Sequence, residues 1–72
     1  MEYTTEDGVK VREGDRAYNY YDMKPGKIGR SAGNLPDPWF DFIHDDGTIA
    51  LLNGQRICSL KFARMRKFKG AT

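Results

Sequence analysis

The sequence has too few cysteines and histidines for the devices that usually stabilise very small proteins. Cys58 is the only cysteine among 72 residues, and His44 is the only histidine. An intramolecular disulfide is therefore excluded, and no cysteine–histidine set has the spacing of a zinc site. A domain of this length buries only about 60% of the surface that its unfolded chain exposes, so we expect a thin core of aromatic and aliphatic side chains. No metal and no cofactor are predicted.

Long apolar segments and a signal peptide are also missing. The longest apolar run, IALL at 49–52, is far shorter than the roughly 20 residues that span a bilayer. The N-terminus, MEYTTEDGV, is acidic and polar, unlike a secretion signal. We therefore expect a single soluble domain over 1–72 that lies in the reducing cytoplasm and has no membrane partner.

Acidic residues are absent from the C-terminal segment 61–72. Residues 1–60 hold seven Lys/Arg against ten Asp/Glu, a net charge of −3, whereas 61–72 hold five cations and no acid. The five are Lys61, Arg64, Arg66, Lys67 and Lys69. A basic terminus on an acidic body is typical of proteins that contact a polyanion, and a solvated terminal turn explains it equally well.

The sequence does contain turn signals at short intervals. Pairs of Gly, Pro, Asn and Asp separate runs of only four to seven residues, which favours an all-β barrel of short strands. Strands are expected over 9–11, 16–21, 39–44, 48–52 and 55–60, with another beginning at 27. Loops are expected over 22–27, around Pro25-Gly26, and over 31–38.

Two hairpin signals follow each other in the second half of the chain. Asp46-Gly47 and Asn53-Gly54 are preferred two-residue turns, because a type I′ turn requires positive φ at both central positions. They predict a three-stranded meander of 39–44, 48–52 and 55–60. With tight turns, Phe42 faces Leu51 and His44 faces Ile49. The side chains expected to pack together are then Phe40, Phe42, Ile49, Leu51 and Cys58.

The chain is expected to end in one helical turn. Ser59 is a candidate N-cap for LKFARM at 60–65. This turn would bury Leu60 and Phe62 against one end of the barrel, with Met65 as a further candidate. The cations of the segment would then face outward.

The order of these elements resembles the SH3-like barrel. The stretch EGDRAYNYYDMKPGKIG at 13–29 is similar to the KOW and Tudor type of small barrel, in which a Gly-Asp opens a strand and a later Gly precedes an Ile or Val. The matching positions are Gly14, Asp15, Gly26 and Ile28. The resemblance implies about five short antiparallel strands with a C-terminal helical turn, a fold that hosts many unrelated functions.

Three tyrosines lie within four positions of RAYNYY at 16–21. The alternation of a strand places Tyr18 and Tyr20 on one face and Tyr21 on the other, so one face cannot bury all three rings. Either Tyr18 and Tyr20 are exposed beside Arg16, or Tyr21 lies at the loop mouth near Lys24. At least one exposed ring is expected in both cases. Exposed rings stack on nucleic-acid bases, whereas in a small barrel a tyrosine ring commonly packs in the core with its hydroxyl in water.

Other candidate sites have plain structural explanations. Trp39 and Phe40 are adjacent in a strand, so one is expected in the core and the other at an interface or under the 31–38 loop. The acids in 37–46 match no cation-binding loop. His44 and Cys58 would lie two strands apart in the expected register, out of hydrogen-bond range. No catalytic residue is predicted.

The sequence thus predicts a small non-enzymatic binding module. In the first hypothesis it contacts nucleic acid or another ligand through the cations and tyrosines Arg16, Tyr18, Tyr20, Tyr21, Lys24, Lys27, Lys61, Arg64, Arg66 and Lys67. In the alternative, an exposed ring forms a protein–protein interface or a homo-oligomer, as in accessory proteins of phages or mobile elements. A third hypothesis is a small enzyme that builds its site between the subunits of an oligomer.

Overall fold

The computed structural model describes residues 1–32 and 38–71. Two strands, β1 (Glu2–Thr4) and β2 (Lys10–Arg12), form an N-terminal hairpin. The remaining strands are β3 (Arg16–Asn19), β4 (Lys24–Ser31), β5 (Trp39–His44), β6 (Ile49–Asn53) and β7 (Ile57–Cys58). A 3₁₀ helix (Gly54–Arg56) links β6 to β7, and the helix α1 (Leu60–Met65) follows. Most of the loop predicted over 31–38 lies outside the described residues.

Strands β3 to β7 form one antiparallel sheet that curls into a half-barrel. Its strand order is β6-β5-β4-β3-β7. This confirms the predicted all-β fold of about five short antiparallel strands with a C-terminal helical turn. The Ser59 hydroxyl accepts a hydrogen bond from the Phe62 N–H at 3.1 Å and so caps α1 as expected. Ala63 is the fully buried residue of α1, whereas Met65 is 71% exposed, contrary to its candidate core position.

The core consists of two clusters that meet at β3. The larger one lies between the N-terminal hairpin and the sheet and holds Tyr3, Val11, Ala17, Ile28, Phe40, Phe42, Leu52 and Ile57. The smaller one lies under α1 and the residues after it and holds Tyr18, Cys58, Ala63 and Ala71. Ala17 therefore faces one cluster and Tyr18 the other, and β3 is buried on both faces. The C-terminal segment covers the second face of this strand, and the expected exposed ring is Tyr21, which lies after β3 and is 59% exposed.

The β5–β6 hairpin forms as predicted, with a different turn. The His44 N–H donates to the Thr48 carbonyl oxygen at 2.8 Å, which closes a three-residue turn, Asp45-Asp46-Gly47. Gly47 has a φ of 91°, the left-handed conformation that the last residue of such a turn adopts. The turn is thus one residue longer than predicted.

The longer turn shifts the register of the hairpin by one residue. Phe42 pairs with Ala50, where the prediction had Leu51. A slip of one residue exchanges the two faces of a strand. Leu52 consequently joins Phe40 and Phe42 in the core, whereas Ile49 and Leu51 are exposed, and their predicted core positions were wrong.

Asn53-Gly54 does not form a hairpin turn. The Asn53 side chain accepts a hydrogen bond from the Gln55 N–H at 3.1 Å and begins the 3₁₀ helix instead. Strand β7 then pairs with β3, with Cys58 opposite Tyr18, and lies at the opposite edge of the sheet from β6. The predicted meander with 55–60 as its third strand was wrong. Strand β5 lies between β6 and β4, so β4 takes the place predicted for 55–60.

Pro25-Gly26 lies inside β4 and does not form the predicted loop. Gly26 pairs with Ala17 on one side and His44 on the other. A Cβ atom at this position would overlap the Ile43 carbonyl oxygen and lie 2.8 Å from the Phe42 ring, so the strands approach too closely for any side chain. The chain instead reverses directly after β3, where the N–H groups of Tyr21 and Asp22 donate to the Asn19 side-chain oxygen.

Candidate functional site

Four rings that remain at least partly exposed form a group beside the 3₁₀ helix and α1, apart from Trp39, which is half-buried in β5 next to the buried Phe40. Two guanidinium groups lie on rings of this group. We call this set the aromatic strip: Tyr20, Tyr21, Phe62 and Phe68, with Arg56 and Arg66.

The first half of the aromatic strip is a stack around Tyr21. The Tyr21 ring is 59% exposed, and its centre lies 5.0 Å from that of Tyr20. The guanidinium carbon of Arg56 lies 4.7 Å from the Tyr21 ring centre, within the range of a cation–π contact. The Tyr20 hydroxyl donates to the Gln55 carbonyl oxygen, which fixes the ring against the 3₁₀ helix. Burial, with the charge of Glu6 as a further cause, raises the pKa of this hydroxyl and keeps it a donor.

Asn19 produces the turn that presents Tyr21. Its side-chain oxygen accepts hydrogen bonds from the N–H groups of Tyr21 at 3.0 Å and Asp22 at 3.2 Å. Asn19 itself is completely buried. The tight turn ends β3 at this residue and leaves the next ring outside the sheet.

The second half of the aromatic strip is an open groove of about 500 Å³. Tyr20, Phe62 and Phe68 contribute its rings, and Glu6 and Arg66 contribute charges of opposite sign. The Phe62 and Phe68 ring centres lie 6.3 Å apart in an edge-to-face arrangement. The guanidinium carbon of Arg66 lies 5.3 Å from the Phe62 ring centre.

The end of α1 returns Phe68 to this groove. The Phe68 N–H donates to the Ala63 carbonyl oxygen at 3.0 Å and the Lys67 N–H to that of Arg64 at 3.0 Å. With Lys67 at a φ of 57°, this is the Schellman arrangement that reverses the chain after a helix. Phe68 then stacks on Tyr18, with ring centres 5.8 Å apart. The C-terminal segment is therefore packed against the sheet.

Two of the three tyrosines that were predicted to form a binding surface belong to the aromatic strip. Tyr21 is exposed and Tyr20 is half-buried. Tyr18 is completely buried, and its hydroxyl donates to the Lys69 carbonyl oxygen. Its assignment to a binding surface was wrong, because Phe68 and α1 cover it.

Two of the predicted cations are neutralised within the protein. Arg16 forms two hydrogen bonds to the Asp45 carboxylate, at 2.6 and 2.8 Å, and these bonds lower the pKa of Asp45. Lys24 forms an ion pair with Asp46 at 2.9 Å. Lys27 is exposed, but it lines a separate groove that also contains Glu13 and Asp41. These three cations are thus not part of the aromatic strip.

The cations of the C-terminal segment are exposed and form no ion pair with a described carboxylate, which is also true of Lys27, Arg30 and Arg56. Every ion pair within the described ranges joins residues between Glu2 and Asp46. Arg64 donates to the Ala71 carbonyl oxygen at 3.2 Å, a neutral acceptor. Within the described ranges the five cations form no ion pair, and Arg66 contributes its charge to the groove of the aromatic strip; the five are Lys61, Arg64, Arg66, Lys67 and Lys69.

The two candidate catalytic side chains have structural roles. His44 is buried and its Nδ1–H donates to the Thr48 carbonyl oxygen at 2.9 Å, while its Nε2 accepts from the Asn19 amide at 3.0 Å. Cys58 is also buried, and burial raises the pKa of its thiol to about 11, with the Asp7 charge as a further cause. Strands β4 and β3 lie between them. Among the residues that the structure describes, no three potential metal ligands lie together.

The sequence analysis did not identify Arg56, Phe62 and Phe68 as parts of a binding surface, although all three belong to the aromatic strip. The alternation of basic and aromatic residues in KFARMRKFK is visible in the sequence. It does not reveal that these rings meet Tyr20, because that contact depends on the pairing of β7 with β3. No local signal identifies Arg56.

Over 1–32 and 38–71, the structure has no helix with the length and apolarity that a membrane crossing requires. Comparisons with protein-family models, with curated proteins and with solved structures find no match for this chain.

Proposed function

We propose that this chain is a non-enzymatic binding module that contacts single-stranded nucleic acid through the aromatic strip and the cations of 61–69. The observation that supports this most directly is the exposed Tyr21 ring in contact with Tyr20 and Arg56, since Tyr20 also lines the groove that contains Arg66. We also propose that the half-barrel is of the SH3-like type, which the order of its elements favours.

Charge supports a polyanion as the partner. Each Lys or Arg that neutralises a phosphate releases condensed counterions, which is the main sequence-independent source of nucleic-acid affinity. The five cations of the C-terminal segment pair with no carboxylate in the part of the chain that the structure describes. Binding to a phosphate backbone would therefore not require the loss of an existing ion pair.

The rings favour a single strand over a duplex. Bases of a single strand offer free faces, and each base stacked on an aromatic side chain contributes about 1–3 kcal/mol. Tyr21 and the groove between Tyr20 and Phe62 provide two such places at adjoining positions. In a duplex these base faces are already stacked on each other. The helix α1 has only six residues, so it can contact few base edges in a groove of a duplex.

Burial and bonding of the candidate catalytic groups support a non-enzymatic role. Both His44 ring nitrogens already have hydrogen-bond partners. The raised pKa of Cys58 keeps its thiol protonated at neutral pH, whereas a nucleophilic cysteine needs its thiolate.

Fluorescence anisotropy with labelled oligothymidylate, oligouridylate and duplex DNA at low salt tests the proposal. We expect the single strands to bind and the duplex to bind more weakly. Arg66→Glu should weaken single-strand binding about tenfold or more. Arg30→Glu is the matched control, since it makes the same charge change at an exposed arginine of the separate groove, and it should retain most of the affinity.

A second arm separates stacking from charge. Tyr21→Ala should weaken binding by about 1–3 kcal/mol per stacked base, and Tyr21→Phe should restore it. The proposal would be wrong if no single strand bound at low salt. Equal effects of Arg66→Glu and Arg30→Glu would likewise contradict the proposed surface.

A further inference from the structure

Strand β6 lies at one edge of the sheet formed by the described strands. It pairs with β5 alone among the described strands. The bond from the His44 N–H to the Thr48 carbonyl oxygen sets the alternation of the ladder, in which every second residue bonds to the partner strand. The backbone N–H and C=O groups of Ile49 and Leu51 therefore face away from β5.

The side chains at this edge are apolar and exposed. Ile49 is 63% and Leu51 is 53% exposed. Their neighbours on the outer face of β5 include Ile43, which lies opposite Ile49. Monomeric proteins usually protect an edge strand with a lysine, a proline or a bulge, and the β6 sequence IALLN has none of these.

We propose that the partner of this edge is a second copy of the chain, which pairs through β6 in antiparallel orientation about a two-fold axis at Ala50. Ile49 of each copy then lies opposite Leu51 of the other, and each such pair exchanges both backbone hydrogen bonds. Ala50 presents only a methyl group at the axis, so the strands can approach. The result is one continuous sheet across the two copies.

The backbone geometry favours this orientation. In an antiparallel pair two facing residues exchange both of their hydrogen bonds, whereas the bonds of a parallel pair are slanted and slightly less stable per residue. The charges of the turn before β6 do not decide the orientation, because Asp45 and Asp46 already pair with Arg16 and Lys24.

The contact is small, which sets the expected strength. One short strand from each copy buries less than the roughly 1,200 Å² of a stable specific interface. We therefore expect a weak dimer that forms as concentration rises. This inference is independent of nucleic-acid binding, because β6 and β7 lie at opposite edges of the sheet and the aromatic strip adjoins β7.

Sedimentation equilibrium over a range of concentrations tests the dimer. The weight-average mass of the wild-type protein should rise from 8.2 kDa toward twice that value. Leu51→Lys should remain at the monomer mass, because it places a charge at the new interface. Met65→Lys, the same change at an exposed apolar residue of α1, should behave like the wild type. A wild-type protein that stays monomeric up to its solubility limit, or equal behaviour of the two variants, would overturn the proposal.

Disulfide capture tests the register and does not depend on the stability of Leu51→Lys. Ile49→Cys and Leu51→Cys proteins, mixed in equal amounts and oxidised, should give the mixed disulfide well above the roughly twofold excess over each homodimer that random pairing produces. The paired Cα atoms would lie about 5.5 Å apart, within disulfide reach. Met65→Cys should give little product, and buried Cys58 should not compete. Statistical yields of the three products would overturn the proposed axis.

Discussion

The Asp7 carboxylate joins the loop of the N-terminal hairpin to the start of α1. One oxygen accepts from the Thr5 hydroxyl at 2.6 Å and the Ser59 N–H at 2.9 Å, and the other accepts from the Ser59 hydroxyl at 2.6 Å. Because Ser59 also caps α1, the N-terminal hairpin and the helix are held by the same group. In the sequence, Asp7-Gly8 indicates only a turn, since a partner 52 positions away leaves no local pattern.

Replacement of Asp7 by Asn should destabilise the protein in a pH-dependent way. Burial raises the pKa of Asp7, but hydrogen bonds from Ser59 and Thr5 outweigh burial and hold it below its ordinary value of 3.8. A carboxyl whose pKa is lowered by folding stabilises the protein above its unfolded pKa, and this contribution is lost as the pH falls through the folded pKa. Asp7→Asn should therefore cost about 1–3 kcal/mol near neutral pH.

Urea denaturation at several pH values measures this effect. The difference between wild type and Asp7→Asn should shrink as the pH falls below 3.8. Glu13→Gln, at an exposed position, should show little difference at any pH. A wild-type–Asp7→Asn difference that is the same at neutral and acid pH would contradict the assigned role.

At the scale of elements, the C-terminal segment determines which residues of β3 are buried. The alternation of a strand predicts that only one of its faces is buried. Both faces of β3 are buried, because α1 and Phe68 cover the second one. Strand β5 and helix α1 could be predicted from the sequence, since apolar alternation and a serine cap are local signals.

The turn signals Asp46-Gly47, Asn53-Gly54 and Pro25-Gly26 were less informative. The first fits a two- or three-residue turn, and the second fits a turn or a helix start. The third lies in a strand because Gly26 allows β3, β4 and β5 to approach closely. In each case packing between distant segments selects the outcome.

Phe68→Ala should destabilise the whole domain, although Phe68 lies after the last helix. Its ring stacks on Tyr18 and contacts Phe62, so its removal opens the smaller core cluster. We expect a loss of about 2 kcal/mol in the free energy of unfolding, less than for a fully buried phenylalanine. Met65→Ala is the control, since Met65 is exposed and its loss should cost under about 0.5 kcal/mol. Equal stability of the two variants in urea would contradict the packed position of the segment.

At the scale of the whole molecule, charge is divided between two regions. Acids and cations pair with each other in the first two thirds of the described chain, whereas the cations of 61–69 have no such partners there. The net charges of the two regions could be read from the sequence. The position of Arg66 in one groove with Tyr20 could not, because it depends on the fold.

This division predicts how nucleic-acid binding depends on salt. If each of the five cations contacts one phosphate of a single strand, the logarithm of the affinity should fall with the logarithm of salt concentration with a slope of about −3.5. Arg66→Glu should reduce the size of this slope by about 0.7 or more, and Arg30→Glu should leave it unchanged. Tyr21→Ala should lower the affinity at every salt concentration without a change of slope. Identical slopes for wild type and Arg66→Glu would show that this arginine contacts no phosphate.

The distance along the chain between the partners of β3 affects how quickly the protein can fold. Tyr18 pairs with Cys58 and bonds to Lys69, which is 51 positions away, whereas the β5–β6 hairpin closes over a three-residue turn. The hairpin can form at once, but the second face of β3 must wait until distant segments meet. Domains dominated by such pairings fold in milliseconds to seconds. Until those segments meet, the β6 edge and the apolar side chains of the smaller cluster are both unprotected, so we expect aggregation to compete with folding more than with the native state.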